Sequence, residues 1–182
     1  PIHSSAASDV YKRQVHGGAG EQCLEMIQKV QELLDQGGRL EESVSEEIAN
    51  HRQTKGKYIP GFGHRFHKPE DPRAPRLMKL VSDAEGEKLV SGNFMRIGLE
   101  IQRQLSQGKS TGIAMNIDGA TAVIFGELGF APPLARGLFC LSRSVGILAH
   151  AWEQKNQGGR NKGPTPPEFL WNYSGKNPLE EG

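Results

Sequence analysis

The chain is 182 residues long, with 22 Lys+Arg against 21 Asp+Glu and a formal net charge of +1, so no single-sign field marks it as a binder of nucleic acid. Hydrophobic residues make up 36%; counting glycine and omitting tyrosine gives roughly 47%, close to the globular norm, and no apolar run approaches the ~18 to 20 residues of a membrane-spanning helix. Cys23 and Cys140 are the only cysteines, each in an apolar helical pattern, which fits reduced, buried thiols and a cytoplasmic setting and gives no disulfide framework.

Residues 1–14 hold no initiator Met, no signal-peptide core and no periodicity, and are read as a junction or non-native segment outside the fold. From Gly20, Cys23, Met26, Ile27, Val30, Leu33 and Leu34 recur at helical spacing and stop at Gly37-Gly38, which predicts a helix. Leu40, Val44 and Ile48 predict a second, more exposed helix to about Thr54. Lys57 to Pro69 carries Pro60, Gly61, Gly63 and Pro69 and reads as a loop with tight turns. Asp71-Pro72 looks like an N-cap followed by proline at the first helical position, opening a helix through Leu77, Leu80, Val81 and Ala84. Phe94, Ile97, Gly98, Ile101 and Leu105 form another stripe, Ala120 to Leu128 is apolar at helical positions, and Pro133 to Lys155 predicts a long helix, mostly buried because Leu134 to Trp152 is largely apolar. No segment alternates at period two for long enough to be a strand, so the expected fold class is all-α. Beyond Gly158 the chain is rich in Gly and Pro, with Phe169, Trp171 and Tyr173 as candidate anchors in a tail.

Common motifs fail on context. Gly108-Lys109-Ser110 lacks the glycine a phosphate loop needs at the position of Arg103, and Gly61-Phe62-Gly63 lacks the third glycine and the strand of a dinucleotide fingerprint. Gly108 to Gly112 fits the letters of an esterase nucleophile elbow, but follows a helix rather than a strand. His64 and His67 are too few for zinc and neither cysteine has ligand spacing, so no metal is expected.

Three polar elements remain in the helical body: Val15-His16-Gly17-Gly18-Ala19, Pro60-Gly61-Phe62-Gly63-His64-Arg65 and Asn116-Ile117-Asp118-Gly119. Glycines let backbone approach a ligand closely, and a helix amino terminus favours a neutral imidazole that donates a hydrogen bond. Taken singly, Asp118 is more often a plain N-cap and His16 and His64 are more often structural. Their combination with Arg73 and Arg143 carries more weight. Arg143 falls in the middle of the long apolar helix, where a buried guanidinium needs an anionic partner from the protein or from a substrate. The competing interpretation is a non-enzymatic helical module that dimerises through that long helix; it gives no reason for these polar groups to occur together.

His16-Gly-Gly-Ala, Gly61-Phe-Gly-His64 followed by Asp71-Pro-Arg73, Asn116-Ile-Asp118 and Phe139-Cys-Leu-Ser-Arg143-Ser-Val-Gly resemble, in order and spacing, the carboxy-terminal half of the citrate synthase family, over Val15 to about Gly175. The resemblance implies that Asp118 removes a methyl proton from acetyl-CoA while His16 hydrogen-bonds the thioester oxygen. It implies that His64 polarises and protonates the keto oxygen of oxaloacetate, that Arg73 and Arg143 hold its carboxylates, and that Phe139 packs against it. It further implies a small domain over residues 15–112, the carboxy-terminal part of a large domain over 113–182, a homodimer, and a CoA thioester as substrate with no tightly bound cofactor. The family's usual Arg-Pro after the last long helix is replaced by Lys162-Gly163-Pro164. Gly119-Ala120-Thr121-Ala122, and Ser142 to Gly146 with His150, look more like citryl-CoA lyase and the matching module of ATP-citrate lyase. The expected activity leans to the lyase, with citrate synthase or 2-methylcitrate synthase as the alternative. The first half of the large domain is absent from the sequence, so these residues expressed alone are expected to be poorly stable and inactive, with apolar surface exposed from Ala120 onward.

Overall fold

Apolar residues at helical spacing become helices in the computed structural model, which describes residues 18–64, 67 and 70–158. His16, Arg65 and the tail with Lys162 to Pro164, Phe169, Trp171 and Tyr173 lie outside the described residues. The helices are α1 (Gly18–Asp35), α2 (Leu40–Thr54), α3 (Arg73–Gly86), α4 (Asn93–Ser106), α5 (Ile117–Glu127) and α6 (Pro132–Asn156). Among the described residues there is no strand; Phe62 and Met115 make one isolated antiparallel bridge. No described helix is long and apolar enough to cross a membrane. The all-α expectation holds.

The chain divides at Arg143/Ser144 into two units. In the first, α1 is central: it packs most heavily on α5 and also on α2 and α4. Its Leu24, Ile27 and Val30 are fully buried, each contributing about 1.5–3 kcal/mol of apolar transfer energy. The helix closes where the sequence indicated, with the N–H groups of Gly37 and Gly38 donating to the carbonyls of Leu34 and Leu33 at 2.9 Å each. α4 presents Ile97, Ile101 and Leu105 to the same core. Its first turn is tied to the end of α5, because the Glu127 carboxylate accepts from the backbone N–H groups of Gly92 and Met95.

Two boundaries differ from expectation. α5 begins at Ile117, ahead of Ala120, because Asn116 caps it and Gly119 is accommodated within the first turn. α3 is assigned from Arg73 with Pro72 at its N-cap, yet Asp71 does the work expected of it, its Oδ1 accepting from the backbone N–H of Arg73 at 3.1 Å.

The long helix corrects the expectation of burial. Ala135 is the only buried residue of α6. Within the first unit Leu134 and Leu141 are exposed, and in the second unit, described over 144–158, Val145, Ile147, Leu148 and Trp152 are each more than 60% exposed. An apolar run records a surface that needs cover, not one that has it. The expected exposure from Ala120 onward is therefore found at Leu128 and along α6 and not within α5, whose Ala120, Ala122 and Val123 are fully buried.

Candidate active site

The glycine-rich loop is stitched onto the start of α5 by backbone. Asn116 N–H donates to the Gly61 carbonyl at 3.0 Å, and Gly63 N–H to the Ala114 carbonyl at 2.7 Å. Asn116 Nδ2 donates to the Gly63 carbonyl at 2.7 Å. The approach is close enough to require glycine on both sides. Gly61 has φ +84°, and a Cβ there would lie 2.5 Å from Cys23 Sγ and 2.9 Å from Gly119 Cα. His64 is thereby delivered to the amino end of α5.

At that end Asn116 is the cap: its Oδ1 accepts from the N–H groups of Asp118 at 2.9 Å and Gly119 at 3.2 Å. This displaces the N-cap interpretation of Asp118, which stands two residues inside, in the first turn, with its carboxylate released from capping. Burial pushes the Asp118 carboxyl above its ordinary pKa; Arg73, His64 and Arg143 are close enough to pull it back, while Asp71 adds to the rise. Behind it, burial pushes the Cys23 thiol up to about 12, helped by the charge of Asp118. Cys23 is a neutral apolar backing rather than a nucleophile.

Asp71 organises the other side. It is 1% exposed and grips Arg73 with two parallel bonds, Nε to Oδ1 at 2.9 Å and Nη2 to Oδ2 at 2.8 Å. Its Oδ2 also accepts from the N–H of Ile117 at 3.2 Å, so one carboxylate fixes both the arginine and the first residue of α5. The Arg73 partner holds Asp71 well below the usual carboxylate range. Arg73 itself is 49% exposed, with N–H donors left to offer a ligand.

Two cavities meet at Gly63 and His64. One, of about 220 Å³, is lined by His64, His67, Asp71 and the Thr111 to Ala114 segment; the His64 and His67 rings lie 4.4 Å apart and His67 N–H donates to His64 Nδ1 at 3.0 Å. The other, of about 740 Å³, has an apolar floor of Ile59, Phe62, Leu105 and Ile113 under a rim of Arg52, Lys57 and Lys109. That cationic rim was not legible in the sequence, because its members come from the end of α2, the following loop and the turn after α4.

Arg143 requires a correction. It is exposed, not buried, because α6 is largely uncovered, and its guanidinium lies 5.2 Å over the half-buried Phe139 ring. Its charge still reaches Asp118. The charges of Arg73, His64 and Arg143 thus all act on Asp118, Phe139 lies under Arg143, and no group of three metal-ligating side chains occurs among the described residues.

Residues 4–164 match the sequence model of a family described as citrate synthase, C-terminal domain. The chain is 31% identical over 153 residues to a citrate synthase from Acidithiobacillus ferridurans, a match covering 83% of this chain and 37% of that protein. It therefore spans less than half the length of that relative. Among solved structures, citryl-CoA lyase from Hydrogenobacter thermophilus superposes with a TM-score of 0.65 at 30% identity, covering 91% of this chain and 60% of that one. Citrate synthase from Thermotoga maritima superposes with a TM-score of 0.62 at 28% identity, covering 93% and 43%.

Proposed function

Since the chain belongs to the citrate synthase family, we propose that it carries the residues that make or break the carbon–carbon bond between acetyl-CoA and oxaloacetate, in the manner of a citryl-CoA lyase. The observation that carries this reading is the gathering of His64, Arg73 and Arg143 around a carboxylate whose pKa burial has raised. A thioester α-proton is a poor acid, so its abstraction needs a base with a raised pKa and a partner for the developing oxyanion in a site shielded from water.

Asp118 takes the methyl proton, and the electron pair moves to the thioester oxygen, which His16 stabilises by a hydrogen bond. The enol carbon attacks the keto carbon of oxaloacetate while His64 gives a proton to the keto oxygen, forming citryl-CoA. In the lyase direction His64 removes that hydroxyl proton, the carbon–carbon bond breaks, and Asp118 returns a proton to the methylene carbon. Arg73, pre-oriented by Asp71, and Arg143 hold the carboxylates of the acid, and Phe139 packs beside it. The cavity rimmed by Arg52, Lys57 and Lys109 beside His64 suits the phosphates of CoA, which enters as substrate.

The lyase direction is favoured by Gly119-Ala120-Thr121-Ala122 and Lys162-Gly163-Pro164, and by the likeness to the Hydrogenobacter lyase. Citrate synthase is the second reading, favoured by the curated relative. Incubation of the intact protein with citryl-CoA, and separately with acetyl-CoA plus oxaloacetate, separates them. Oxaloacetate and acetyl-CoA appearing from citryl-CoA without free thiol supports the lyase. Thiol release from the second pair supports the synthase, and no turnover of either removes both.

A further inference from the structure

From the ion pair that fastens the start of α6 to α1, we propose that Arg136 and Glu21 form a positioning clasp, setting the rotation of α6 so that Arg143, resting over Phe139, keeps its charge within reach of Asp118. The inference rests on the function proposed above and adds residues to it that touch no substrate.

Arg136 Nε lies 2.5 Å from Glu21 Oε2, with the two side chains 28% and 16% exposed. Its arginine is more shielded than the cation of another interhelical pair, Lys55 with Glu25, at 43% and 39% exposed. Its setting is unusual. A Cβ added at Gly18 would meet Arg136 Nη2 at 3.0 Å, so the guanidinium is seated over the first residue of α1. A helix amino terminus repels a cation, and the first-turn carboxylate of Glu21 is what offsets that repulsion. A cation held where the backbone disfavours it signals that this position of α6 matters.

Helix geometry transmits the constraint. Arg136, Phe139 and Arg143 stand at i, i+3 and i+7, one face of α6, and the Arg143 guanidinium rests over Phe139 at 5.2 Å. Among the described residues, Ala135, next to Arg136, is the only buried residue of α6. A helix anchored at one turn can rotate about its axis, and a rotation at Arg136 swings Arg143 away from Asp118. The charges acting on that carboxylate are Arg73 and Asp71 from the start of α3, His64 from the loop and Arg143 from α6, with Cys23 of α1 also within reach of its charge. Of these, Arg143 alone depends on the clasp.

The test is Arg136→Met, Glu21→Gln and Arg136→Lys in the intact protein, read by oxaloacetate affinity and turnover, by coenzyme A binding, by circular dichroism, and by titration of a 13C-labelled Asp118 carboxyl. The first two variants are expected to keep their helicity and coenzyme A binding, lose on the order of 10²-fold in turnover, and move the Asp118 titration upward as Arg143 withdraws. Arg136→Lys, which keeps the charge, recovers most of the loss. Folded variants with normal turnover and an unmoved Asp118 titration overturn the clasp. If Arg136→Met does not fold, Glu21→Gln, matched in size, carries the same reading. If the unsubstituted protein turns over neither substrate set, the proposed function falls; the Asp118 titration still decides the clasp, because it needs no turnover.

Discussion

α5 and α6 look alike in sequence, both apolar through most of their length and both carrying a charge of the candidate site, and they end in opposite environments. Ala120, Ala122 and Val123 of α5 are fully buried against α1, α3 and α4. The apolar side chains of α6 from Leu141 to Trp152 are mostly exposed. The difference separates two ways of presenting charge. Asp118 acquires its chemistry from burial, since desolvation is the leading cause of its raised pKa. Arg143 stands on an exposed helix, two turns after Arg136, whose ion pair with Glu21 joins that helix to α1.

The largest expected effect tests that separation directly. Asp118→Asn removes the proposed base and is expected to lower turnover roughly 10²- to 10⁴-fold while coenzyme A still binds. The same change should stabilise the fold at neutral pH. A carboxyl whose folded pKa lies above its unfolded value of about 3.9 favours folding only below that value, and its contribution disappears as pH rises through the folded pKa. Above it the charged group opposes folding, so melting of Asp118→Asn should exceed the parent at pH 7 and match it near pH 3. Arg143→Met, on the exposed helix, should impair oxaloacetate binding with stability unchanged within about 0.5 kcal/mol. Equal thermal responses from the two variants would erase the distinction between the helices.

A second contrast uses glycine. At Gly119, inside α5, a Cβ would collide with the Gly61 carbonyl oxygen and lie 2.8 Å from Met115 Cγ. Gly119→Ala must therefore push the loop carrying His64 off the start of α5, at a cost of about 3 kcal/mol, and should lower turnover with it. Chemical denaturation gives the first quantity and the citryl-CoA assay the second. An unaffected Gly119→Ala would mean that the loop and α5 are not in contact as described.

What could be read from the residues alone follows the same divide. The stripes of α1 and α4 were legible because amphipathic periodicity is local and both helices found their cover within the described residues. The candidate residues stood out as short motifs, and the charges of His64, Arg73 and Arg143 act on Asp118. The capping of α5 was misplaced because Asn116 and Asp118 are both good caps two residues apart, and backbone geometry chose the first. The role of Asp71 in gripping Arg73 was hidden behind its expected capping role, although an Asp-Pro-Arg step that turns a chain is a fair signal for it. The burial of α6 and Arg143 was not legible, because hydropathy states the demand for cover and leaves the supply to tertiary structure. Nor was the Arg136–Glu21 pair, whose members are joined only by packing.

The smallest effect is the most diagnostic of cover on α6. At Gly146, in the interior of α6, a Cβ would meet nothing within 4 Å. Glycine in a helix costs roughly 0.5–1 kcal/mol relative to alanine, because it gives up more backbone freedom on folding. Gly146→Ala should therefore stabilise the protein by about that amount, where Gly119→Ala destabilises it, and a denaturant titration of both resolves the opposite signs. A loss of stability at Gly146 would require a surface pressed against this helix closely enough to exclude one methyl group. The exposed Val145, Ile147 and Leu148 beside it would then be the buried face of an interface, and the contrast between the two helices would belong to the isolated chain rather than to its working assembly.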